Sequence, residues 1–261
     1  MSKSPMRYAL ILLSLALSWL VIDSIFTLVV RPQAQLELQL AAEAGLPAPR
    51  TWAIMFKDLE QEICVVLFVW AVAAIGINAS KTNAQFKLLN KNYVPREEDS
   101  VITPDEAEGY YRNLQKLEET AEREAVLPQM LMTSLNHFNG TRDIGSATSV
   151  AHQVSELKAD QMEAELSLVR YVAWAIPSFG FVGTVRGIGI AMTKAGEALE
   201  GDITGVTESL GVAFNSTLVA LALSIVLMLF MHLLQMRQDT LIQRCHEYCN
   251  KYLLSHLSSP G

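Results

Sequence analysis

The chain has 261 residues, 51% of them apolar, with a mean hydropathy of +0.25 and a formal net charge of −7. No basic block accompanies that charge, which argues against a nucleic-acid partner, and the apolar residues are gathered into runs instead of being spread over a soluble core. The three cysteines form no even secreted framework, and Cys245, His246 and Cys249, at helical spacing with no second cluster, do not compose a zinc site.

Four apolar runs have the length of about 20 residues that crosses a hydrocarbon core of roughly 30 Å: Tyr8–Val30, Leu59–Ala79, Leu168–Thr193 and Thr207–Gln235. The first follows Lys3 and Arg7, yet it is too long for a cleavable signal core and no A-x-A site closes it, so a retained span is expected. The link 31–58 reads RPQAQLELQLAAEAGLPAP at its start. Pro32 at a first helical position, Gly45 as a C-cap and then Pro47 and Pro49 predict a short, separate surface helix.

Residues 80–167 are polar. Thr103, Pro104 and Glu106 spell a capping box at the head of TPDEAEGYYRNLQKLEETAEREA, a solvated helix that Pro128 is expected to end or kink. From about Ala147 a second helix meets no breaker and should continue into the third run. Beyond the fourth run, Leu241, Ile242, Cys245, Tyr248, Cys249 and Leu253 keep helical spacing through a tail, 236–261. The lysines and arginines flanking the runs (Lys81, Lys87, Lys91 and Arg96 after the second, Arg237 and Arg244 after the fourth) place both termini and 80–167 in the cytoplasm and the two short links outside. The expected fold is an all-α integral membrane protein with four spans: a helical hairpin in 1–79, a cytoplasmic segment 80–167, a helix pair 168–235 and the tail. No Walker loop, nucleophile elbow, dinucleotide fingerprint or HExxH occurs, so the sequence offers no enzyme chemistry and no cofactor or metal site.

The third and fourth runs carry polar groups at depth. In PSFGFVGTVRGIG, Gly183 and Gly187 form a GxxxG pair with Gly180 on the same side, and Pro177 removes a backbone donor and should bend the helix. In TESLGVAFNSTLVALALSIVLMLF, Asn215, Ser216 and Thr217 lie together. Counted from the outer ends of two antiparallel helices, Thr184 and Ser216 both lie about nine residues in, or ~14 Å. Hydroxyls at one depth either bond back to their own helix carbonyls or line a wetted path, and the glycine face favours the path.

FVGTVRGIG resembles the GTVxGI signature of the MotA/TolQ/ExbB family of proton-channel subunits, preceded by a proline as there, and GVAFNSTLVALALS resembles its second signature. The resemblance covers Leu168–Gln235. It implies a homo-oligomeric, pentameric ring around a dimeric, small single-span partner of the ExbD/TolR/MotB kind, which supplies a membrane aspartate, in a bacterial inner membrane. Thr184 and Thr217 would be the pore-facing hydroxyls with Ser216 beside them, and Pro177 the bend. Some members carry a glutamate where this chain has Val212; Glu208 lies a turn further out.

Hydroxyls do not titrate near neutral pH, and the hydroxyl-bearing stretches hold no carboxylate, so a proton carrier must come from span one or a partner. Asp23 and Arg186 are the obvious charges inside the runs, each roughly 10 Å from the outer end. They are expected to pair, within a subunit or between neighbours; alternatively Asp23 is a proton site, or both side chains reach the headgroups. The competing function is a non-conducting scaffold that holds a partner helix on the glycine face. A small-solute transporter would show an internal repeat, and none is present.

Overall fold

The computed structural model describes residues 4–44, 49, 51–94, 101–117, 124–199, 201 and 203–258; Gly45, Pro47, Arg50 and Arg96 lie outside the described residues. The described chain is helical, and four helices are long and apolar enough to cross a membrane. Its contacts divide it into two compact units, Met1–Ile75 with Leu168–Met231 and Gly76–Ser167 with His232–Gly261.

In the first unit, α1 (Ser4–Ile25) does not stop before Pro32. It passes through a π turn, Phe26–Val30, directly into α2 (Arg31–Glu43), with the Arg31 N–H donating to the Phe26 carbonyl five residues back. The separate surface helix expected from Pro32 is therefore a continuation of the first span. Proline has no N–H to give and its ring collides with the carbonyl four residues earlier; one widened turn relieves that collision without breaking the helix.

A single turn, α3 (Trp52–Phe56), leads to α4 (Leu59–Leu88). The Trp70 indole N–H donates to Ser14 Oγ at 2.9 Å, tying α4 to α1. The other two spans belong to α7 (Ile144–Thr193) and α9 (Thr204–Tyr252), with the short α8 (Ala195–Leu199) between them. Only 11–33% of each spanning window is buried within the chain. Leu12, Leu13, Leu17, Phe181, Phe214 and Ile225 all face outward, which only lipid or further protein can cover.

In the second unit, α5 (Pro104–Gln115) starts at the expected capping box: the Thr103 N–H and hydroxyl donate to Glu106 Oε2 at 2.8 and 2.9 Å. Pro128 does not end that helix. It sits in the first turn of another, α6 (Val126–Thr141), where the backbone N–H groups have no partner within the helix and a proline removes nothing. Arg142, at φ 55, closes α6, and the Asp143 carboxylate then caps α7 by accepting from the Gly145 and Ser146 N–H groups at 3.2 and 2.8 Å.

As the absence of a breaker predicts, α7 runs unbroken into the third span and α9 runs past Gln235. Leu127, Met130, Leu131, Leu135 and Phe138 of α6 pack with Leu241, Cys245, Cys249 and Leu253 around Ala147 and Ala151. Burial pushes both thiols up to about 12. At pH 8 each is then thiolate to only about one part in ten thousand. Cys245 and Cys249 should resist iodoacetamide in the folded protein and react at least tenfold faster once denaturant is added; equal rates in a mass-spectrometric time course would contradict that packing.

Candidate functional site

The glycines of α7 do not border a vacant groove. A Cβ on Gly180 would stand 2.4 Å from Ala220 Cβ, one on Gly183 2.5 Å from both Cβ and Oγ of Ser216, and one on Gly187 2.8 Å from Ala213 Cβ. Their counterparts on α9 are Ser209, Ala213, Ser216 and Ala220, at helical spacing and all buried. Small residues on both helices let the backbones close together, which is how helices gain contact in a medium as apolar as their side chains. The glycine face is thus filled by this chain's own fourth span.

Pro177 lies inside α7 without interrupting it. Its missing N–H leaves the Ala173 carbonyl, four residues back, without a helical donor, and the buried Ser224 hydroxyl of α9 donates to that carbonyl at 3.1 Å. Cys64 of α4 donates to the neighbouring Ile176 carbonyl at 3.5 Å.

At the edge of the seam Thr184 and Thr217 meet. Their hydroxyls bond to one another, Thr184 Oγ1 also donates to Ala213 O at 3.1 Å, and Thr217 Oγ1 donates across to Gly180 O at 3.2 Å. Thr184 lies within 3.3 Å of its own helix's Gly180 carbonyl as well. Two protons thus have several acceptors, and either hydroxyl can turn to give or take one without leaving a group unsatisfied. Both side chains are half-buried.

Ser216, expected beside Thr184 at equal depth, is instead sealed into the seam against Gly183 and donates to Val212 O at 2.7 Å. One residue of helix rotation, about 100°, separates it from the exposed edge. Asn215 is half-buried and joins none of these bonds.

Within the chain, Asp23 and Arg186 do not pair. Arg186 is clasped side-on by Glu60 of α4, Nε to Oε1 and Nη2 to Oε2, both at 2.7 Å. The cation near Asp23 is Arg31, 4.0 Å away, and the same guanidinium reaches Glu62 Oε2 at 2.5 Å. Eight residues overshoot two helical turns by about 80°, and the widened π turn takes up part of that overshoot, bringing Arg31 over Asp23.

Three residues went unnoticed in the sequence: Glu60, Gln61 and Glu62, at the head of α4. All are buried, and successive steps of about 100° aim them at three different helices. Glu60 goes to α7, Gln61 to Ser216 of α9 at 3.5 Å, and Glu62 to α2. The available signal was LEQEIC itself, three polar residues running in from the edge of an apolar run. Glu208 is held by Lys57 at 3.4 Å.

Four apolar helices, two of them knit by small residues with crossed hydroxyls at the seam's edge, define an integral membrane protein. Residues 122–247, just under half of the chain, match the model of the MotA/TolQ/ExbB proton channel family, which supports the resemblance read from the sequence. That match and the four apolar helices point to an integral inner-membrane protein with a proton-channel-like role in energy transduction. No curated protein and no solved structure matches the chain. The matched segment holds Thr184, Thr217 and the glycine seam; Asp23, Arg31, Glu60 and Glu62 lie outside it.

Proposed function

We propose that the chain is the ring-forming, proton-conducting subunit of an inner-membrane energy-transducing complex, with the two short links facing outward and both termini in the cytoplasm. A homopentamer surrounds a dimeric, single-span partner whose membrane aspartate carries the proton, and passage of that proton past Thr184 and Thr217 is coupled to movement of the partner. The observation that carries this reading is the crossed hydroxyl pair, half-buried beside a seam that is otherwise closed. A carboxyl group arriving at that edge finds a donor and an acceptor already satisfied by each other and free to exchange partners. A scaffold gripping its partner on the glycine face is disfavoured, because α9 already occupies that face.

Thr184→Val and Thr217→Val keep shape and delete the hydroxyls. In the complex purified from native membranes and reconstituted in liposomes, proton flux should fall at least tenfold for each while the assembly keeps its size. Undiminished flux in both variants would exclude the threonines from the path.

A further inference from the structure

The chain holds a second group of ionisable residues, outside the matched segment and apart from the threonines. Glu62 is 1% exposed, and its Oε1 is sealed from solvent with no donor, although Oε2 has Arg31. The guanidinium that holds Glu62 also stands 4.0 Å from Asp23 Oδ1. Two carboxylates therefore face one another across one guanidinium, acceptor toward acceptor. Both ionised, they and Arg31 carry a net charge of −1 in the first and second spans, where an uncompensated charge is expensive. Two carboxylates that share one guanidinium relieve their mutual repulsion when a single proton is held between them.

Among the described residues, the neighbouring charges are already paired elsewhere. On Glu62's own helix, Glu60 is committed to Arg186 of α7; just before it, Lys57 is committed to Glu208 of α9. Asp58, one turn before Glu62 in the sequence, is another acid and supplies no positive charge. The apolar side chains Ile22, Phe26, Val30 and Val66 pack around the rest. Among the described residues, no group of three His, Cys, Asp or Glu stands close enough to hold a metal ion, so a cation cage does not fill the gap.

We propose that Asp23 and Glu62 form a proton-binding pair, sharing one proton at neutral pH while Arg31 stays charged and orients both carboxyls. The proton comes from the aqueous phase at the end of the spans bearing the Arg31–Asp58 link and is released there or passed inward; no bond other than O–H changes. This gives the ring subunit a proton site of its own, in addition to the partner's carboxylate. It deepens the channel reading, yet its occupancy can be measured without any flux.

The test is infrared spectroscopy of the full chain in nanodiscs, following the carbonyl stretch of a protonated carboxyl, identified by its shift in D2O, from pH 5 to 9. Wild type should show such a band at pH 7. Glu62→Gln and Asp23→Asn should each abolish it, because the remaining carboxylate then has Arg31 to itself, while Glu60→Gln should leave it in place. Absence of the band from the wild type at pH 7 overturns the proposal and needs no variant to fold. A band that survives Asp23→Asn also overturns it, since Glu62 would then be protonated alone. So does a band that appears only when sodium is removed, which would make the occupant a metal ion. A wild-type band in a protein that conducts nothing would leave the pair standing and defeat the channel reading; conduction without the band would do the reverse.

Discussion

Replacing Gly183 by leucine is expected to separate the third and fourth spans and, with them, the threonine pair. Even a methyl group there would meet Ser216 Cβ and Oγ at 2.5 Å and approach Glu60 Cγ at 3.3 Å. Neither Ser216 atom is the far end of a flexible chain, so the backbones must move. Gly183→Ala should therefore cost about 1–3 kcal/mol, the usual range for overpacking, and leucine more than that. In a bilayer the loss is not offset by the hydrophobic effect, because separated helices find lipid as apolar as one another. Proton flux should fall with stability, as Thr184 lies one residue along the same helix. Gly76→Ala and Gly189→Ala are the controls, since a Cβ at either meets nothing within 4 Å. Detergent-titrated unfolding checks the series. Equal stability of Gly183→Ala and Gly189→Ala would show that the seam is not close-packed.

Removing Glu60 should be nearly as damaging and should have a distinctive dependence on pH. Glu60→Gln leaves Arg186 in the span without a countercharge. Breaking a fully buried pair costs about 3–5 kcal/mol. The Arg186 side chain is 43% exposed and Glu60's 9%, so about 2–3 kcal/mol is expected, close to the cost of a bare charge on the lenient insertion scale. Arginine cannot shed its proton, so acid does not relieve that variant. In Arg186→Gln the stranded group is a carboxylate, which a proton neutralises, and this variant should regain stability as the pH falls. Exchanging the two, Glu60→Arg with Arg186→Glu, should restore at least half of the loss. If the two single variants respond identically to pH, or the exchange restores nothing, the clasp contributes no stability.

Much of this protein is written locally. The four spans follow from run length, the capping box at Thr103 and Glu106 from its spacing, and the continuation of α7 and α9 beyond their apolar runs from the absence of a breaker. The signatures single out Thr184 and Thr217, whose hydroxyls the fold brings together, although counting residues from the span ends put Ser216 where Thr217 stands. Prolines misled twice for the same reason. A proline removes one donor and adds one collision, and both are harmless after a π turn or in a first turn, as at Pro32 and Pro128.

The charges were the least legible part. Asp23 and Arg186 stood out because apolar residues flank them, yet their partners, Arg31 and Glu60, sit at run edges, where a charge does not stand out. Which helices exist, how far they extend and which residues carry hydroxyls or charge follow from composition and periodicity along the chain. Which acid meets which base depends on the rotation and axial offset of one helix against another. Those are set by the glycine seam and the π turn, where a shift of one residue swings a side chain about 100° and hands it a different neighbour.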